Sequence, residues 1–135
     1  MVRVADKASA NRLDLNQRVG VDLSLIIVTW NCAEVIHQCL QSVYANTPAC
    51  SSEIVVVDNA SSDDTVDIVR VGFPDIIVII NGSNMGFATA NNQGIAHSQG
   101  RYVALLNPDT VVLPSALTTM VAYMDAHPEA GAAGC

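Results

Sequence analysis

Four short apolar runs constrain this chain more than any other feature. Leu23 to Thr29, Glu53 to Asp58, Ile76 to Ile80 and Tyr102 to Leu106 are rich in Val, Ile and Leu and nearly apolar on both sides. A strand with one wet face alternates apolar and polar residues. A run without alternation needs cover on both faces, which parallel sheets obtain from the helices of their crossovers. Helical periods do lie between the runs. Val35, Ile36, Cys39, Leu40 and Val43 make one apolar stripe on a first helix. Ser61 or Ser62 is placed to cap a second, with Asp63 and Asp64 in the first turn where the helix dipole favours them. A third is predicted from Phe87 to Ser98, ending at Gly100 as a left-handed cap. A fourth opens with Pro114, carries Leu117, Met120, Val121 and Met124 on one face, and stops before Pro128. The order βαβαβαβα, with Gly131 to Cys135 opening a further strand, predicts an α/β fold: a doubly wound, mainly parallel sheet of βαβ repeats with right-handed crossovers.

At 135 residues the chain is one domain or part of one. Residues 1 to 22 show no sustained period and read as a flexible leader, which leaves 23 to 135 as the folded body. The leader holds four of the six Lys and Arg against three acids, net +1, so the body holds Arg70 and Arg101 against ten acids, net −8. Nucleic-acid binding is excluded for such a body, because phosphate contacts need a basic face. No apolar stretch approaches the roughly 20 residues needed to span a bilayer, and no apolar block follows the N-terminal charges as in a signal peptide. The expected place is the cytoplasm, with peripheral association at the inner face of the membrane. Cys32, Cys39, Cys50 and Cys135 have neither C-x-x-C spacing nor a histidine at zinc-site distance, and read as small buried hydrophobes in a reducing compartment.

In an open parallel sheet, ligands bind outside the carboxyl ends of the strands. Here those ends are Trp30-Asn31, Asp58-Asn59-Ala60-Ser61, Asn81 to Gly86, and Asn107-Pro108-Asp109. They offer an aromatic face, a carboxylate suited to a ribose or base, a Gly-containing turn feeding a helix N-terminus, and a carboxylate suited to a metal. Common nucleotide motifs do not fit. TWNCAE after the first strand lacks the glycines of a dinucleotide fingerprint, and no lysine follows Lys7 to complete a P-loop. The paired acids and late lysine of a phospho-receiver are also missing.

The segments LSLIIVTWN (23 to 31), EIVVVDNASSDDT (53 to 65), NMGFATANNQGI (84 to 95) and LLNPDT (105 to 110), in this order, resemble the N-terminal, donor-binding half of the family 2 glycosyltransferases, inverting enzymes of the GT-A fold. The NPD form of that family's D-x-D motif resembles the rhamnosyltransferase-like branch, which implies a dTDP-rhamnose donor. The resemblance implies that Thr29, Trp30 and Asn31 border the nucleobase and that Asp58 contacts base or ribose. It adds Asn59, Asn84, Gly86, Asn107 and Asp109 to the donor-binding set, with the N-terminus of the Phe87 helix facing the diphosphate. Asp109 is the implied ligand of a divalent metal, Mg2+ or Mn2+, which takes oxygen donors and completes its shell with substrate phosphates. Asn107 stands where many relatives have the first aspartate and offers a neutral amide oxygen. Asn91 and Asn92 stand near a position where many relatives hold phosphate with arginine.

The other polar side chains have structural readings. Asp63 and Asp64 suit a helix start, and Asp125 and Glu129 read as helix-end surface groups. His37 and His97 lie on predicted helices away from the strand ends and receive no role, while His127 suits a helix C-terminus. The implied reaction is transfer of a sugar from a nucleotide-diphosphate donor to a glycan or lipid-linked acceptor hydroxyl, with inversion, in polysaccharide or cell-wall biosynthesis. Family members keep the general base in a C-terminal acceptor half, which is expected to be absent from these residues. The alternative expectation is a truncated, non-catalytic nucleotide-sugar-binding module.

Overall fold

The computed structural model describes residues 1–3, 20–48 and 50–134. Its five strands are β1 (Val2–Arg3), β2 (Leu23–Thr29), β3 (Ser52–Asp58), β4 (Ile77–Ile80) and β5 (Tyr102–Leu106). The helices are α1 (Ala33–Ala45), α2 (Thr65–Gly72), α3 (Phe87–His97) and α4 (Ala116–Ala126). The sheet order is β1-β5-β2-β3-β4. β2 pairs in parallel with both β3 and β5, and β3 with β4, so the four longer strands point the same way. The chain winds outward from β2 through β3 to β4, then crosses back to place β5 on the other side of β2. That reversal makes the carboxyl ends of β2 and β5 a topological switch point.

Both faces are covered, as the non-alternating runs require. On one face Leu23, Leu25, Ile27, Ile54, Val56, Tyr102 and Ala104 pack with Ile36, Leu40 and Val43 of α1, Val69 of α2, and Leu117, Val121 and Met124 of α4. On the other, Ile26, Val28, Val55, Val57 and Val103 pack with Ala90 of α3. α3 lies so close that a Cβ at Gly94 would fall 2.4 Å from Ile26 Cγ2. No helix among the described residues is long and apolar enough to cross a membrane.

The predicted elements differ from the observed ones in instructive places. Residues 4–19 of the expected leader lie outside the described residues, but Val2 and Arg3 form a strand antiparallel to β5 and cover its outer edge. Among the described residues, the strand expected over Gly131 to Cys135 reduces to a single bridge from Ala132 to Val2. Gly100 does not adopt a left-handed conformation. It is there for space: a Cβ would lie 2.5 Å from the backbone nitrogen of Ser24, and the Gly100 N–H donates to Ser24 Oγ at 2.8 Å. Ser61 and Ser62 do not cap α2, which starts at Thr65. α4 starts at Ala116, after Ser115 in a left-handed conformation (φ 64°) rather than at Pro114.

Asp125 is also more than a solvated helix end. Arg101, at the start of β5, donates from Nε to Asp22 and from both terminal nitrogens to Asp125, which also accepts from the hydroxyl of fully buried Tyr102 at 2.7 Å. This network ties α4 to the amino end of the sheet, opposite the switch point.

Candidate functional site

The loops after β2 and β3 are stitched together by side chains of the DNASSDDT segment. The Thr29 hydroxyl donates to Asp58 Oδ1 at 2.8 Å, and the same carboxylate accepts from the backbone N–H and hydroxyl of Ser61. Asn31 N–H donates to Ser61 Oγ, Asn31 Oδ1 accepts from Ser62 N–H, and Cys32 N–H donates to Thr65 Oγ1. Asp63 spans the gap: Oδ2 accepts from Ala33 N–H at 3.0 Å, opening α1, and Oδ1 accepts from Thr65 N–H and hydroxyl. The Thr65 hydroxyl above all, with the Ala33 and Thr65 amides, holds the Asp63 carboxyl below its ordinary pKa. Asn31 and Ala60 take positive φ, 49° and 64°, in these two loops. Such backbone costs of order 1–3 kcal/mol for a non-Gly residue and persists where surrounding bonds over-determine it, as they do here.

The stitched loops present Trp30 outward. Its side chain is 58% exposed, which excludes a role in closing the core. It lines a crevice of about 270 Å³ with Val28, Thr29, Asn59, Asn84, Phe87, Asn107 and Pro108. The crevice therefore lies over the carboxyl ends of the strands and joins the β2 and β5 ends at the switch point, where the fold rule places ligands. A second concavity, about 340 Å³ between α4 and residues 132–134, is lined by Thr119, Met120 and Tyr123 and brings no charged group together.

Of the predicted site residues, Thr29, Trp30, Asn59, Asn84 and Asn107 line the crevice. Gly86 stands at its rim with φ 83° and ψ 158°, a conformation essentially reserved for glycine. Asp58 is only 1% exposed and its oxygens are engaged by Thr29 and Ser61, so it serves as a buried anchor beneath the crevice. Asn31 is spent on Ser62. Asn91 is buried and donates to the Phe87 carbonyl. Phe87, 57% exposed, is a crevice residue that the sequence reading does not assign; an aromatic beside an obligatory glycine at a helix start is the available signal.

The break in LLNPDT is a turn, closed by Thr110 N–H donating to the Asn107 carbonyl at 3.1 Å. Cys39 Sγ of α1 supports it from below, donating to the same carbonyl, and burial pushes that thiol up to about 11. Asp109 stands exposed on the turn and, among the described residues, makes no hydrogen bond or ion pair. The described Lys and Arg side chains, Arg70 and Arg101, lie at the helix end leading to the amino end of the sheet and at that end itself. An anion at the crevice thus meets no described cationic side chain. The donor set fits a hard divalent cation in one limited sense: Asp109 offers free carboxylate oxygens and Asn107 an amide oxygen, while no group of three His, Cys, Asp or Glu among the described residues forms a closed cage. Chemically, the crevice offers an aromatic face for a planar ring, neutral amides for hydroxyl or base edges, and one carboxylate at its border.

Comparison with known proteins agrees with this arrangement. The family model described as Glycosyl transferase family 2 matches residues 24–135. The chain is 31% identical over 104 residues to the Escherichia coli UDP-Glc:alpha-D-GlcNAc-diphosphoundecaprenol beta-1,3-glucosyltransferase WfaP, covering 76% of this chain and 41% of WfaP. It superposes on S. aureus TarS in complex with UDP with a TM-score of 0.73 and 26% identity, over 80% of this chain and 33% of TarS. A mannosyltransferase from Pyrobaculum calidifontis in complex with GDP-Man and Mn2+ superposes with a TM-score of 0.67 and 28% identity, over 76% of this chain and 32% of that one. The chain thus spans less than half the length of these proteins. With the parallel sheet, the switch-point crevice and a family match over residues 24–135, this chain belongs to glycosyltransferase family 2 and has the GT-A fold.

Proposed function

We propose that the switch-point crevice binds the nucleotide-diphosphate sugar of a glycosyl transfer to an acceptor hydroxyl. The observation that carries this reading is the convergence of an exposed Trp30, three neutral amides and an unengaged Asp109 over the carboxyl ends of β2 to β5. In this reading Trp30 stacks on the nucleobase, a contact of the offset aromatic kind. The Asn84 amide orients base and ribose, above a floor in which the Thr29 hydroxyl is held by Asp58 and the Asn59 amide by its neighbours. Gly86 lets the backbone approach the diphosphate, whose charge no described cationic side chain offsets. A Mg2+ or Mn2+ ion held by Asp109, with Asn107 beside it, would supply that charge and stabilise the departing diphosphate.

Displacement by the acceptor hydroxyl with inversion also needs a general base. At the crevice Asp58 and Asp63 are fully engaged, and Asp125 lies at the opposite end of the sheet. The base therefore belongs to residues outside the crevice. The NPD turn favours a dTDP-linked deoxysugar donor. The undecaprenol-linked substrate in the name of WfaP supports a glycan or lipid-linked acceptor.

Titration calorimetry with dTDP, UDP and GDP, with Mn2+ and after chelation, tests the proposal. Binding that weakens at least tenfold on chelation, with dTDP tightest, is the expected result. Equal binding with and without metal overturns the role of Asp109, and absence of nucleotide binding overturns the assignment of the crevice.

A further inference from the structure

We infer that the side-chain amides of Asn59, Asn81 and Gln93 form a positioning relay that holds residues 82–87 at the crevice, so that Gln93 governs nucleotide affinity without lining the site; the affinity part rests on the reading above. Residues 82–86 form an irregular, exposed segment between β4 and α3. The bonds within it are local: Gly86 N–H to Asn84 Oδ1 and Ser83 Oγ to Met85 Sδ. Its side-chain tethers to the rest of the molecule run through Asn59, which is 2% exposed, accepts from Met85 N–H at 3.4 Å and donates to the Gly86 carbonyl at 3.4 Å.

The Asn59 amide is in turn braced from α3. Asn81 and Gln93 form a reciprocal amide pair: Asn81 Nδ2 donates to Gln93 Oε1 at 2.9 Å and Gln93 Nε2 donates to Asn81 Oδ1 at 3.0 Å. The second Nδ2 hydrogen of Asn81 donates to Asn59 Oδ1 at 2.9 Å. A primary amide has two donor hydrogens on one atom and its acceptor on the other. Reversing Asn81 would therefore set oxygen against oxygen at Asn59. The Met85 N–H, which can only donate, and the Gly86 carbonyl, which can only accept, set the direction at Asn59, and Asn81 and Gln93 complete the chain, so the placement of Asn84 and Phe87 at the crevice rests on a network that Gln93 closes. Partly buried networks of this kind are costly when one member loses its partner.

Gln93→Glu tests this with little change in shape. The ionised carboxylate that this substitution introduces cannot donate to Asn81 Oδ1, whereas the protonated acid can. Two readouts are needed, with protection of the β2 and β3 amides as the check that each variant is folded. In the free chain, hydrogen exchange at residues 82–87 is expected to accelerate about tenfold in Gln93→Glu and in Gln93→Met at pH 7, the effect of one lost hydrogen bond. Affinity for dTDP or UDP with Mn2+ is expected to fall about tenfold in both variants. Relative to wild type at each pH, Gln93→Glu is expected to recover as pH falls below about 4.3, where a carboxyl protonates, and Gln93→Met is not.

Unchanged exchange at 82–87 in both folded variants overturns the relay. Faster exchange with affinity within twofold of wild type overturns its role in binding. A wild-type chain that binds no nucleotide overturns the reading of the crevice instead, and leaves the exchange measurement to decide the relay.

Discussion

Four aspartates near one sheet edge behave differently because their surroundings do. Asp58 is buried and satisfied, Asp63 joins two loops, Asp64 contributes its backbone carbonyl to the first turn of α2, and Asp109 is free. Asp63→Ala removes the acceptor for Ala33 N–H, so it should cost about 1 kcal/mol, as loss of a helix cap does, while nucleotide affinity stays within about twofold. Asp109→Ala should do the reverse: unchanged stability, and loss of the metal-dependent part of binding in calorimetry. The pH dependence separates them further. Hydrogen bonds hold the folded Asp63 pKa below its ordinary value of 3.8, so its contribution is complete above that value and is lost as pH falls through the lowered folded value. Urea titrations should therefore show the gap between wild type and Asp63→Ala closing in acid, and a gap that persists there would remove the carboxylate as the cause. The sequence makes Asp63 legible as a capping residue because acids before an apolar helix favour its dipole. It cannot reveal that Asp58 points inward, since a carboxylate ending an apolar strand reads the same whether a hydroxyl pair or a ligand awaits it.

At the scale of elements, β2 to β5 and the four helices are readable because a doubly covered strand and a one-sided helix leave different periods. β1 is not, for Val2 and Arg3 carry no period and acquire a role only by lying beside Tyr102 and Val103. The amide relay is equally silent, its members coming from three elements with no fixed spacing. Packing distances that only the folded chain reveals make two predictions. Gly94→Ala places a methyl 2.4 Å from Ile26 Cγ2 and should lower stability by about 1–3 kcal/mol, measured by urea unfolding, because the core must shift to admit it. Cys39, held under the Asn107 turn, should resist thiol reagents at neutral pH in the folded chain. Its thiol, ordinarily near 9, rises to about 11 through burial, so its stabilisation is complete below pH 9 and lost as pH rises toward 11. Labelling of Cys39 at the rate of an unfolded control would contradict that account.

The whole molecule has two sheet edges, and they differ in protection. On one side β1 and the Ala132 bridge shield the outer side of β5. The other edge is β4, a four-residue strand of sequence IVII that has β3 on one side and no strand on the other among the described residues. Ile77 is 40% exposed and Ile80 47%. Edges of this kind present unpaired backbone groups to other chains, and natural proteins blunt them with charge. None of the four β4 residues is charged. The chain should therefore associate through β4, with its sedimentation coefficient rising with concentration. Ile77→Lys should suppress that rise and leave nucleotide binding intact, because β4 bears on the crevice only through Asn81 at its far end. If the variant associates as strongly as wild type, the contact lies elsewhere; if it also loses nucleotide, β4 supports the site more directly than the Asn81 bonds imply.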